Sequence, residues 1–360
     1  MKKIFVDAER LRDLNSGLGQ FCLHLGKELV EQRPADADLT FLVPGEHNGI
    51  FGDQAHYRPV SWSDRFYLSG NYNIWHCTHQ DSPYLPVAGR TKLILTIHDL
   101  NFLERADYND AKKARRLAAL QRSINRTSAL TAISEYTASV VRQHLKVPEN
   151  IPFRVIYNGN SAADQEGNFS ERGSSLTLTR LRNEPYFLFL GVIHPKKNVH
   201  TLLPMLEAFP DWALVLAGND SHPYAKHIMA EAERLGVANR LIMPGAVEEA
   251  TKHWLYENCG AFLFPSLSEG FGLPVVEAMT YGKPVFLSDR TSLPEIGGRE
   301  AYYWDTFEPE AMAEVLFNGL SDFKQNPFRA ERLRKRAAQF SWEQAAQDYW
   351  ALYQEVMQGM

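Results

Sequence analysis

The sequence predicts an α/β protein built from two doubly wound, parallel-sheet domains that face one another across a cleft. Three observations carry this expectation. At 360 residues the chain exceeds one ordinary core and fits two domains of about 150–180 residues each. In each half, short apolar runs of strand length alternate with longer segments of helical period. Between Ser161 and Glu184 the chain turns polar and rich in Ser, Gly and Asn, which marks a linker. The domains are therefore placed at 1–165 and 180–339, and 340–360 forms a last helical segment.

In the first half, strands read at Ile4–Val6, Leu39–Val43, Ile74–His76, Leu93–Ile97, Leu130–Ile133 and Arg154–Ile156. Helices fall at Gly19–Gln32, Asn109–Asn125 and Glu135–Leu145. The second half repeats the scheme, with strands at Tyr186–Leu190, Ala213–Ala217, Arg240–Met243, Ala261–Phe264, Val285–Leu287 and Ala301–Trp304. Its helices read at Val199–Ala208, Tyr224–Leu235, Glu248–Asn258 and Pro274–Tyr281. A last helix runs from Phe340-Ser341-Trp342 to Met357, with Ser341 as its cap. Alternation of this kind gives parallel sheets flanked by helices, and such sheets bind ligands beyond the carboxyl ends of their strands.

Composition narrows the function. Apolar content of 44% with 22% charged residues is ordinary for a globular protein. A net charge of −5 argues against a chain built for wholesale nucleic-acid binding. Cys22, Cys77 and Cys259 are few and scattered, which fits reduced thiols in a cytosol rather than a disulfide framework. The apolar run near Met1 is too short for a signal peptide and reads as a strand, and no run of about 18 apolar residues spans a membrane.

The most informative stretch is Phe264 to Glu277, Phe-Pro-Ser-Leu-Ser-Glu-Gly-Phe-Gly-Leu-Pro-Val-Val-Glu. A buried-looking strand ends at Pro265-Ser266, Gly270 and Gly272 permit turns around Phe271, and Pro274 suits a helix start. Amides around Leu273, Pro274 and Val275 would then face the loop and suit a phosphate. Glu269 and Glu277 stand eight positions apart, the second in the first turn of that helix. Carboxylates beside a phosphate cradle repel it, so these two read as acceptors for sugar or ribose hydroxyls. The alternative for Glu277 is simple complementation of the helix dipole.

Lys196-Lys197 lies between a strand end and a helix, where a cation suits developing negative charge on a ligand, or else is a solvated pair. Gly17 and Gly19 close the first strand-to-helix loop, and Cys22 stands where a dinucleotide fingerprint needs its third glycine. His98 follows a buried strand at its carboxyl end, with Asp99 next. His76 and His79 also sit at a strand end, where acceptor contact and plain loop structure are both open. Asp36-Ala37-Asp38 has a metal-binding spacing but lies in a polar loop and reads as surface, so no metal ligand is assigned. The helix at 111–126 is strongly basic, which suits either an anionic lipid surface or a solvated face.

Together these motifs resemble the Glu-x7-Glu pattern of retaining glycosyltransferases of the GT-B fold, specifically glycosyltransferase family 4 (group 1). Ser16-Gly17-Leu18-Gly19, Thr96-Ile97-His98-Asp99, Thr131 to Glu135, Val155 to Gly159 and Gly191 to Asn198 look like further landmarks of that family. The resemblance implies two Rossmann-like domains, an acceptor-binding N-terminal one and a nucleotide-sugar-binding C-terminal one, with the last helix crossing back onto the first. It implies a catalytic group of His98, Glu269 and Lys197. Donor contacts are expected from Gly17, Gly19, Lys196, Lys197, Gly218, Ser266, Glu269, Gly270, Phe271, Gly272, Leu273, Pro274, Val275 and Glu277. Acceptor contacts are expected from His76, His79, Asp99 and Ser134. No cofactor or metal is implied; the partners are a nucleoside-diphosphate sugar and a saccharide or lipid-linked acceptor, with peripheral membrane contact through the basic helix. Val192 stands where the family usually has an arginine, so Lys196 is expected to supply the second charge. The motif forms look most like mannosyltransferases using GDP-mannose in cell-envelope polysaccharide or lipopolysaccharide synthesis. A UDP-sugar donor, a UDP-N-acetylglucosamine 2-epimerase-like enzyme and a non-catalytic nucleotide-binding subunit are the alternatives.

Overall fold

A computed structural model describes residues 1–65, 70–86, 91–105, 107–162 and 180–359. Most of the expected linker, 163–179, lies outside these residues. The chain forms two compact units, Met1–Gly159 with Ser341–Met360, and Asn160–Phe340.

The first unit is a parallel sheet of β1 (Lys2–Asp7), β2 (Ala37–Val43), β3 (His56–Pro59), β4 (Ile74–Cys77), β5 (Lys92–Ile97), β6 (Ala129–Ala132) and β7 (Phe153–Val155). Their order is β3-β2-β1-β4-β5-β6-β7, so the direction of winding switches between β1 and β4. β1, β4, β5 and β6 are almost wholly buried, as expected of strands covered on both faces. The sequence reading missed β3 because His-Tyr-Arg-Pro has no apolar run; it is a partly exposed edge strand ending in proline. Helices α1 (Gly17–Glu31), α2 (Asp110–Ile124) and α3 (Glu135–His144) flank the sheet. Each is capped by a side chain, Ser16, Asn109 and Ser134 respectively, accepting an N–H of the first turn.

The second unit repeats the plan with β8 (Tyr186–Leu190), β9 (Ala213–Ala217), β10 (Leu241–Gly245), β11 (Ala261–Phe264), β12 (Val285–Ser288) and β13 (Tyr302–Trp304). The order is β10-β9-β8-β11-β12-β13, all parallel, with the switch between β8 and β11. Its helices are α4 (Leu202–Met205), α5 (Tyr224–Arg234), α6 (Glu249–Asn258), α7 (Leu273–Thr280), α8 (Leu293–Gly297), α9 (Pro309–Gln325) and α10 (Phe328–Ala337). The helix expected at Val199–Ala208 is instead α4 between two 3₁₀ turns, because Pro204 lacks the N–H that a continuous helix needs.

The last helix, α11 (Trp342–Gln358), belongs to the first unit. The Ser341 Oγ accepts the Gln344 N–H at 3.2 Å, and Trp342 stacks on His24 with centroids 5.7 Å apart. Tyr349 and Tyr353 reach through the core to a closed polar network. His76 Nδ1 meets the Tyr353 hydroxyl at 2.7 Å, His76 Nε2 meets Thr96 Oγ1 at 2.8 Å, and Thr96 lies 2.9 Å from the Tyr349 hydroxyl. Among the described residues no helix is long and apolar enough to cross a membrane. Removing one member of this network strands a buried polar atom. Tyr353→Phe is therefore expected to cost about 1–3 kcal/mol, read as a lower urea midpoint at unchanged slope.

Candidate active site

In the second unit, the strand ends at the switch point bring the predicted donor residues together. The loop after β8 begins at Gly191 and closes in a 3₁₀ turn, Pro195–Lys197, followed by the left-handed Asn198. The His194 Nδ1 accepts the Lys196 N–H at 3.2 Å, and the Lys196 carbonyl accepts the Leu267 N–H at 2.8 Å. The basic loop is thus tied to the loop after β11. Lys197 donates to Glu269, which also accepts from Ser266 Oγ at 2.6 Å. Both charged side chains are 12% exposed. Burial pushes the Glu269 carboxyl up, but the Lys197 and Lys196 charges and the Lys197 and Ser266 hydrogen bonds outweigh it and hold it below its ordinary value. Lys196 is exposed beside this pair.

The Glu269 segment is held from the far side as well. Its N–H donates to Thr291 Oγ1 at 3.0 Å, and Ser292 Oγ donates to the carbonyls of Glu269 and Phe271. Thr291 is left-handed, at φ 55°, a strained setting for a β-branched residue. Gly218 follows β9 at φ 140°, and a Cβ there would lie 2.0 Å from the Gly191 carbonyl oxygen, so only glycine fits.

The helix start departs from expectation. Gly272, at φ 106°, is the N-cap of α7, and Pro274 is its second residue. Pro274 has no N–H and Val275 donates to the Gly272 carbonyl at 2.9 Å, so of the three expected amides Leu273 alone escapes the first turn. Glu277 is the fifth residue of α7, beyond the first turn, which removes the simple helix-dipole reading. It is buried and accepts from Ser161 Oγ at 2.9 Å, the Tyr256 hydroxyl at 2.8 Å and Lys252 Nζ at 3.2 Å. Sequence reading missed Lys252 and Tyr256; their spacing of four on α6 is indistinguishable from ordinary helix patterning.

The first unit assembles a different kind of site at its own switch point. His98 follows β5, and its Nε2 lies 2.8 Å from the Thr78 carbonyl. A carbonyl only accepts, so Nε2 carries the proton and Nδ1 is left as an acceptor. Burial outweighs that hydrogen bond and pushes the imidazole down to about 4, so the ring is neutral near pH 7. His79 Nδ1 accepts the Asp81 N–H at 2.8 Å, and its buried Nε2 has no hydrogen-bond partner among the described residues. Burial pushes His79 down to about 3. Asp7, at the end of β1, accepts from Ser82, and burial raises it to about 6.

Several of the expected contact residues have structural partners. His76 is a fully buried core residue with both ring nitrogens engaged, which leaves neither for an acceptor. Ser134 caps α3, and Asp99 Oδ1 accepts the Asn101 N–H at 2.9 Å. Gly17 and Gly19 are the first and third residues of α1 rather than loop residues, and the Gly19 N–H goes to Ser16 Oγ at 3.0 Å. Asp36 pairs with Lys2 at 2.8 Å and Asp38 with His56 at 3.1 Å, each at the surface.

The neutral histidines give the fold a pH signature. His76, pushed by burial down to about 3, His79 and His98 all have folded values below the ordinary histidine value of 6.5. Their stabilisation is present above about pH 6.5 and is lost as pH falls toward those folded values. Asp7 acts oppositely over part of that range but is outnumbered. Stability to urea should therefore fall on the order of 1 kcal/mol or more per pH unit between about pH 6 and 4.5, and His98→Asn should flatten that slope.

Comparison with known proteins agrees with this geometry. Residues 16–162 match the family model described as Glycosyltransferase Family 4, and residues 178–340 match the model described as Glycosyl transferases group 1. The chain is 25% identical over 300 residues to the O-antigen chain mannosyltransferase B of Escherichia coli, covering 80% of this chain and 75% of that protein. It is 24% identical over 368 residues to the O-antigen chain mannosyltransferase RfbU of Salmonella typhimurium, covering 96% and 97% respectively. The Anabaena HepE structure in complex with UDP and glucose superposes over 100% of both chains, with a TM-score of 0.74 and 18% identity. Two parallel sheets, each with its switch point, and two family models that meet near the boundary between the units lead to one conclusion: the chain belongs to glycosyltransferase family 4 (group 1), a transferase of the GT-B fold.

Proposed function

We propose that the chain transfers mannose from GDP-mannose, with retention of anomeric configuration, to a saccharide or lipid-linked saccharide acceptor in O-antigen or related cell-envelope polysaccharide synthesis. The observation that carries the donor site is the Lys197–Glu269 pair at the β8/β11 switch point, with exposed Lys196 beside it. The two mannosyltransferase relatives support the sugar and the polysaccharide. The UDP and glucose bound in the HepE structure favour the second reading, a UDP-sugar donor on the same site.

In this reading the leaving diphosphate is held by Lys196, Lys197 and the Leu273 amide, which stabilise charge as the glycosidic bond to phosphate breaks. Glu269 and Glu277 take donor hydroxyls, and Ser266, Gly270, Phe271 and Gly272 shape the turn that presents them. Gly218 keeps the β8 and β9 ends close enough for the basic loop to sit there. His98, neutral and fixed by Thr78, offers Nδ1 to a sugar hydroxyl. A ring with so low a proton affinity is a poor general base, so its contribution is orientation. The acceptor proton passes to the departing phosphate oxygen on the same face of the sugar. His79 and Asp99 face the acceptor, and the exposed Arg115 and Arg122 of α2 are what an anionic membrane surface would meet.

The test is transfer from GDP-mannose or UDP-glucose to a mannose-containing oligosaccharide in EDTA, with the product anomer read by NMR. An α-mannosyl product from GDP-mannose, lost about a hundredfold or more in His98→Ala, is expected. Turnover of UDP-glucose alone would transfer the assignment to the second reading. An inverted product, or free sugar released at the same rate without acceptor, would overturn both.

A further inference from the structure

Glu277 is held by more apparatus than a surface-facing hydroxyl acceptor needs. Lys252 and Tyr256 stand four apart on α6 and therefore on one helix face. Lys252 Nζ lies 3.2 Å from Glu277 Oε1 and 2.8 Å from a Glu249 oxygen, and the Tyr256 hydroxyl lies 2.8 Å from Glu277 Oε2. The Lys252 and Glu277 side chains are 11% and 8% exposed, and Tyr256 is fully buried. Ser161 Oγ adds a second donor to Oε1 at 2.9 Å.

A carboxylate this deep needs a cation and hydrogen-bond donors in place of the water it loses. Lys252 is that cation. The three donors also fix the plane of the carboxylate. Each carboxylate oxygen accepts about two hydrogen bonds. Among the described residues Oε1 has two from Ser161 and Lys252, and Oε2 has one from Tyr256, so the unused direction there lies on Oε2. We infer that Lys252 and Tyr256 are positioning residues for the donor: by ion pair and hydrogen bond they fix the plane of the Glu277 carboxylate and turn the free lone pair of Oε2 toward a hydroxyl of the bound nucleotide sugar. The inference rests on the reading of Glu277 as a donor contact. It assigns Lys252 no contact with the donor itself, which separates it from Lys196 and Lys197 in the basic loop.

The test titrates GDP, UDP and inorganic pyrophosphate calorimetrically against the wild type, Glu277→Gln, Lys252→Met, Tyr256→Phe and the Lys252→Met/Glu277→Gln double variant. Lys252→Met should weaken the preferred nucleoside diphosphate about tenfold and leave pyrophosphate unchanged, with donor KM rising by the same factor and kcat moving less. Tyr256→Phe, which removes only a hydroxyl, should act in the same direction, about threefold. The double variant should bind no worse than Glu277→Gln alone, because Lys252 acts through that carboxylate. If Glu277→Gln binds nucleoside diphosphate like the wild type, the donor reading of Glu277 fails. If Glu277→Gln is weakened but both α6 variants bind normally, or if Lys252→Met weakens pyrophosphate equally, the positioning inference is overturned and the donor reading survives.

Discussion

A carboxylate buried at the end of a central strand cannot remain charged alone, and much of the second unit follows from meeting that requirement at Glu269. Lys197 is the counter-charge, and the surrounding backbone exists to hold it in reach. His194 caps the turn, Asn198 turns left-handed to close it, and Lys196 gives its carbonyl to the loop that carries the glutamate. The ammonium also lies 4.9 Å from the centre of the Phe264 ring on β11, a cation–π contact. Removing one partner from such a pair costs about 3–5 kcal/mol because the other is left buried and unpaired. Strain at Thr291 is tolerated within the same framework.

The two units solve opposite electrostatic problems. The second collects ion pairs, Lys197 with Glu269 and Lys252 with Glu277. The first collects buried imidazoles that desolvation keeps neutral, with fixed tautomers set by backbone carbonyls and amides.

The fold was legible because parallel strands buried on both faces are written as continuous apolar runs, as in Tyr186–Leu190 and Ala261–Phe264. β3 was not, since an edge strand needs no such run, and the Val199–Ala208 helix was misread because Pro204 acts locally against an apolar pattern. In the site, Lys197 and His98 were singled out by strand-end position, Glu269 by its spacing from Glu277, and Gly218 only by the family resemblance. The amide cradle was overstated, as a proline and a 3₁₀ bond use up part of the helix start. His76 and Ser134 were expected as acceptor contacts yet serve the core and a helix cap, because side-chain direction at a strand end is set by tertiary packing. Lys252 carried no signal at all: its partner lies 25 residues away, and only the fold brings them together.

The most direct test of this account is calorimetric titration of GDP and UDP, in EDTA, against the wild type and Lys197→Met. The account predicts micromolar-range binding of one of them by the wild type and a loss of about tenfold or more in the variant, since a hydrogen-bonded cation on a phosphate is worth ~1.5–3 kcal/mol. Equal affinity in the two proteins would contradict it.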